Sequence, residues 1–193
     1  MGLQLSTRSR HPFVERGPDL YETPAPVTCA LLKVEPLLQA RRHIWEPAAG
    51  RGAIVRVLRN HNHNVVASDV HDYGALDFVG DFLAQDGMPV GCEAIVTNPP
   101  FKIAEPFVER ALELAPLVVM LLRLAFLESE RRCHILENRG LARVHVFRKR
   151  LPMMHRDQWA GRKANSGMSF AWFVWIRGYN AGPTIIQRVS WER

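Results

Sequence analysis

Cysteine is scarce in this chain, and its three copies, Cys29, Cys92 and Cys133, are widely spaced. They form no C-x-x-C pair and no Cys/His ligand pattern, which argues against a disulfide framework and a zinc or other metal site. A reducing, cytoplasmic setting is expected. Long apolar runs are also missing. The longest, Leu117 to Leu127, is broken by Arg123 and falls far short of the ~20 residues a membrane span needs, so no membrane partner is expected. The N-terminus lacks an apolar signal-peptide segment. Met1-Gly2-Leu3-Gln4-Leu5-Ser6 fits the loose myristoylation pattern, which is too short and common to carry weight. There is no internal repeat and no low-complexity tract. Acidic residues are the minority, 19 against 25 Lys+Arg, for a formal net charge of +6. Such a surplus favours a polyanionic partner, nucleic acid first, and says nothing about fold.

What is present is an alternating pattern. At 193 residues the chain suits one domain with one core, here 21–193, behind a polar, proline-punctuated arm over 1–20. An amphipathic helix is expected from Val27 to Gln39, with a break at Pro36. Short β-branched or apolar runs at His43–Trp45, Val65–Asp69, Glu93–Thr97 and Leu117–Leu122 read as strands. Helices are expected between them at Ala53–Asn60, Ala104–Leu114 and Ser129–Asn138. Continuous apolar strands alternating with helices predict an α/β fold, a doubly wound, mostly parallel sheet covered on both faces. Ala142–Phe147 and Ser169–Ile176 follow with no helix between them, which predicts a C-terminal antiparallel pair closing the sheet.

Three segments carry chemistry. Asn98-Pro99-Pro100-Phe101 ends the third strand, where two prolines can continue neither ladder nor helix. They hold the Asn98 amide and the Phe101 ring at the rim of the sheet, a place to grip a planar amine; the bland reading is a stiff turn. The loop Glu46-Pro47-Ala48-Ala49-Gly50-Arg51-Gly52 joins a strand to a helix with small residues, so a ligand can approach its backbone and the helix N-terminus. It lacks the Lys-Ser/Thr ending of a P-loop, which argues against a nucleoside triphosphatase, and it is not a full G-x-G-x-x-G. Asp69, at the end of the next strand, can accept from both ribose hydroxyls of an adenosine-containing ligand, or can simply cap the strand end. Asp81-Phe82 could hold an adenine amine and pack on its ring. Arg148, Lys149, Arg150, Arg156, Arg162 and Lys163 with Trp159 interleaved suit phosphates and a stacked base, or else form a solvated basic loop.

Taken together these segments resemble the class I S-adenosylmethionine-dependent methyltransferases, and among them the amino-methyltransferases that modify adenine N6 in DNA. The match covers most of the chain. It implies a Rossmann-like fold and S-adenosyl-L-methionine as cofactor, with no metal needed. Glu46 to Gly52 would be the cofactor loop, Asp69 the ribose acid, Asp81 and Phe82 the contact to the cofactor's adenine, and Asn98 to Phe101 the catalytic motif. Tyr21-Glu22-Thr23-Pro24 resembles the segment that closes over the methionine end of the cofactor. The order of motifs is that of the gamma-type enzymes. In the implied mechanism the Asn98 side-chain carbonyl and the Pro99 backbone carbonyl accept from the target amine while Phe101 stacks on the base. No separate target-recognition domain is visible, unlike in restriction-type relatives, and the small size resembles stand-alone enzymes of bacteria and phages. RNA adenine, the glutamine amide of release factors, and a non-catalytic binding relative are the alternatives. Oligomeric state is not legible.

Overall fold

The computed structural model describes residues 20–152, 168–180 and 182–192. Helix α1 (Ala25–Val34) starts with a proline in its first turn, where a missing N–H leaves nothing unpaired. Pro36 then disfavours helical backbone at the residue before it, and Glu35 is extended at φ −110 and ψ 92. The helix expected over 27–39 is therefore two, α1 and α2 (Pro36–Ala40). The Glu35 carboxylate caps the second by accepting from the Leu37 N–H at 3.2 Å.

The alternation then runs β1 (His43–Glu46), α3 (Ala53–Asn60), β2 (Asn64–Asp69), β3 (Phe78–Val79), β4 (Ala94–Thr97), α4 (Ala104–Leu114), β5 (Leu117–Arg123), α5 (Cys133–Leu136), β6 (Leu141–Phe147), β7 (Phe170–Ile176) and β8 (Ile185–Val189). These build one eight-stranded sheet in the order β3-β2-β1-β4-β5-β7-β6-β8. The first five strands pair in parallel. Strand β7 inserts between β5 and β6 and runs antiparallel to both, which is the expected antiparallel pair. It does not close the sheet. Strand β8 does, lying parallel to β6. Its exposed neighbours Ile185 and Ile186 lie on opposite faces, so no apolar alternation betrayed it. The helix expected over 129–138 is shorter, a 3-10 turn at Glu130–Arg132 followed by α5.

Successive strand residues feed two cores, as a sheet buried on both faces requires. Ile44, Val96, Leu121 and Trp172 pack with Leu31 of α1 and Ile54 of α3 on one side. Trp45, Ile95, Met120 and Phe173 pack with Phe107 of α4 and Ile135 of α5 on the other. The three fully buried tryptophans each keep an indole partner: Trp45 donates to Ser68 Oγ at 2.9 Å, Trp172 to Val27 O at 3.2 Å and Trp175 to Ile135 O at 3.1 Å. Two of those bonds tie β7 to helices on opposite faces. Among the described residues no helix is long and apolar enough to cross a membrane. Nor do three or more His, Cys, Asp or Glu side chains gather where they could hold a metal ion.

Candidate active site

Strand order reverses between β1 and β4, and open parallel sheets leave a crevice at such a point, outside the carboxyl ends of the strands. A cavity of about 300 Å³ lies there, lined by Tyr21, Thr23, Glu46, Ala48, Asp69 and Asn98 among others. The first five are residues that the resemblance assigns to a cofactor, and Asn98 belongs to the catalytic motif.

The loop after β1 is shaped by its glycines. Gly50 and Gly52 have φ of +53 and +77, a left-handed region that favours glycine. A Cβ on Gly50 would stand 2.6 Å from Leu20 Cδ1, the movable end of a side chain, so the requirement for glycine here comes from the backbone angle. Three hydrogen bonds fasten the loop: Gly52 N to Ala49 O at 2.7 Å, Ala49 N to Ser68 O at 3.0 Å, and Gly50 N to Asp69 Oδ2 at 2.9 Å. Asp69 Oδ1 accepts from the His71 N–H at 3.1 Å. The strand-end cap is thus present, and each oxygen keeps lone-pair capacity toward the cavity.

Glu46 is 2% exposed and its Oε2 has no hydrogen-bond partner. Burial holds this carboxyl well above its ordinary value; the Val55 N–H pulls against that, and the nearby Asp69 charge adds to it. A buried acid with one oxygen idle beside a cavity suits a cationic or donor group of a ligand.

Asn98 is held from a distance in sequence. Its Nδ2 donates to the Tyr21 backbone carbonyl at 3.0 Å and to Thr23 Oγ1 at 3.2 Å, across 77 and 75 residues of chain. A carbonyl accepts only, so these contacts settle which end of the amide carries nitrogen. Oδ1 is left buried with no partner. A buried, unpaired acceptor now stands where the sequence placed an amine-gripping amide. Pro100 lines the cavity as well, whereas Pro24, Pro47, Gly50 and Gly52 frame it without lining it. Val70, His71 and Tyr73, which no motif marked, also line it.

Two expectations meet a different arrangement. Asp81 is exposed and spends its carboxylate capping the 3-10 turn after it, accepting from Leu83 N at 2.9 Å. Phe82 is 3% exposed and packs in the core, 4.2 Å from the Phe107 ring and 5.2 Å from Trp45. Neither lines the cavity, so the structure does not bring this pair to it. Phe101 is half-buried and already engaged: Tyr21 lies 4.6 Å from its ring centroid, Phe170 5.4 Å, and the Arg123 guanidinium sits over the ring at 4.7 Å.

Strands β5 and β6 are both antiparallel to β7, so Arg148, Lys149 and Arg150, after β6, lie at the same end of the sheet as Asn98. At roughly 4.8 Å per strand, β6 lies three strands and ~14 Å from β4. All three side chains are exposed, and Lys149 pairs with Glu192 at 2.5 Å. Arg156, Trp159, Arg162 and Lys163 lie outside the described residues.

No protein-family model and no curated protein matches the sequence. Solved structures do match its fold. A candidate RNA methyltransferase of Pyrococcus horikoshii superimposes with a TM-score of 0.63 at 16% identity, over 87% of this chain and 90% of that one. The methyltransferase subunit of a type I restriction-modification system of Streptococcus thermophilus gives 0.58 at 11% identity, over 83% of this chain and 45% of that one. The chain has the class I methyltransferase fold. The magnesium protoporphyrin IX methyltransferase of Synechocystis, solved with bound S-adenosylmethionine, shares this class I fold with a TM-score of 0.50 at 14% identity, over 79% of this chain and 80% of that one.

Proposed function

We propose that this chain transfers a methyl group from S-adenosylmethionine to an exocyclic amine of a nucleobase, adenine N6 in DNA. The observation that carries the reading is Asn98 Oδ1: buried, unpartnered and held in place by two hydrogen bonds on the other end of the amide. The cavity residues fit the cofactor. Glu46 offers an idle oxygen to its cationic end, Asp69 has acceptor capacity left for ribose hydroxyls, and Tyr21 and Thr23 would lie along its length. One class I neighbour was solved with this cofactor bound. When bound, it supplies an electrophilic methyl group.

The chain's own residues do the rest. An aromatic amine is a poor nucleophile because its lone pair is spread into the ring. Asn98 Oδ1 and the Pro99 carbonyl accept its two N–H groups, which favours a tetrahedral nitrogen and stabilises the positive charge that grows there during transfer. The Pro99-Pro100 pair keeps both acceptors aligned before substrate arrives. Basic groups at the same end of the sheet, with the net charge of +6, suit a polyanion.

Two neighbours, a candidate RNA methyltransferase and a restriction-modification subunit, support nucleic acid and divide between RNA and DNA. Labelled S-adenosylmethionine offered with DNA, RNA and release-factor substrates separates the readings. Label in DNA adenine is expected. Label in RNA alone moves the substrate, and label in none favours a binding protein. In Asn98→Ala, kcat should fall about 10²- to 10³-fold, the cost of losing one preorganised charge-stabilising group. Cofactor affinity should stay within a few-fold. Unchanged turnover would sink the assignment.

A further inference from the structure

Arg123 entered the sequence only as an interruption of an apolar run. It is the last residue of β5, one strand from β4 and Asn98, and lies opposite Phe170 in the β5–β7 ladder. The backbone after it is pinned by Leu124 N donating to Ser169 O at 2.8 Å. Its side chain is exposed and its guanidinium lies over the Phe101 ring, 4.7 Å from the centroid. Among the described residues it has no carboxylate or carbonyl partner.

A second guanidinium–ring contact in the same protein shows what a structural one looks like. Arg132 lies 4.6 Å over Phe126, but it also pairs with Glu105 at 3.1 Å and donates to the Phe126 and Glu128 carbonyls at 3.2 and 2.8 Å. That cation is consumed by the fold. Arg123 keeps five N–H donors and its whole charge for something else. Its planar group meanwhile covers the ring that follows the Asn98-Pro99-Pro100 acceptors, and a guanidinium is close to a nucleobase in shape and stacking habit.

We propose that Arg123 holds the place of the target base: its guanidinium covers Phe101 in the free protein and passes to a backbone phosphate of the nucleic acid when a base takes that face. This rests on the nucleobase reading above. Its advantage is that one motion opens the stacking surface and adds a phosphate contact, so the ring is uncovered only where a polyanion is present. Arg148 and Arg150, both exposed, lie two strands further along the same end, so the phosphate path would run from β5 toward β6.

The proposal predicts effects of opposite sign in one variant. With S-adenosylhomocysteine saturating the cofactor site, Arg123→Ala should bind a short labelled single-stranded oligodeoxynucleotide more weakly. The log–log salt slope should shrink by about 0.7, the value of one lost phosphate contact on a single strand. The same variant should bind free 2′-deoxyadenosine about two- to five-fold more tightly, because the cation–π contact no longer has to be displaced. Arg123→Lys should restore the slope. A role in folding alone would leave the slope unchanged or weaken both ligands together, and either result overturns the proposal, as does unaltered deoxyadenosine binding. Both readouts are binding measurements, so a failure of methyl transfer counts against the proposed function and leaves this test standing.

Discussion

Glu35 should be among the most destabilising positions to truncate, although it is nowhere near the cavity. Its side chain is fully buried between α1 and α2. It accepts from Arg143 Nε at 2.7 Å and Nη2 at 2.9 Å, from His145 Nε2 at 3.3 Å and from Leu37 N at 3.2 Å. Glu35→Ala strands all four donors, including the Arg143 guanidinium, whose side chain is only 21% exposed. Removing one partner of a buried ion pair costs ~3–5 kcal/mol, because the remaining charge stays desolvated. Partial access of Arg143 to water puts the expected loss near the lower end, about 3 kcal/mol. For a chain of this length that corresponds to a fall in Tm of ~6–12 °C. Urea unfolding followed by tryptophan fluorescence measures it. The cause is separable from mere loss of volume: Glu35→Leu combined with Arg143→Met should recover most of the stability, since replacing a buried pair with apolar groups is often neutral or better. A loss below ~1 kcal/mol in the single variant, or a double variant no better than the single, refutes the account. Acid should reproduce part of the effect. Burial alone would raise the Glu35 carboxyl, but the His145 and Arg143 hydrogen bonds outweigh it and hold it below the ordinary value of 4.5. The stability it contributes is therefore present above that value and is lost as pH falls through the depressed one.

Glu46 carries the opposite sign. Its folded value lies well above 4.5, so wild-type stability should decline as pH rises from 4.5 through that raised value. Glu46→Gln should lack this decline in denaturant midpoints taken across the window, and equal slopes would contradict the buried, idle carboxyl. Phe82→Ala should cost ~3–5 kcal/mol as an emptied core site between Phe107 and Trp45. Its equilibrium dissociation constant for S-adenosylmethionine should stay within a few-fold. Weakened cofactor binding at unchanged stability would return Phe82 to the cavity.

The parts legible in the sequence are those that local chemistry dictates. Helices α3 and α4 begin and end where apolar spacing put them, at Ala53–Asn60 and Ala104–Leu114. The break at Pro36 follows from one ring and its effect on Glu35. At Asp81-Phe82 adjacency in sequence says nothing about direction: in the structure the acid caps its own 3-10 turn and the ring packs in the core. No motif marked Glu35 or Arg143, and only tertiary packing, which brings the turn before α2 to Arg143 of β6, makes them a buried pair.

The sequence by itself determined that strands and helices alternate, that both faces of the sheet are covered, and that a glycine loop and a rigid Asn98-Pro99-Pro100-Phe101 exit lie at strand ends. Those properties rest on residue type and period, which act within a few positions. Tertiary structure alone decided which atom of Asn98 stays free, because Tyr21 and Thr23 reach it across more than seventy residues and take its nitrogen. It also decided that Phe101 is covered by a cation from the neighbouring strand. Polar pairing depends on groups brought together from far apart in the chain, and no local pattern records it.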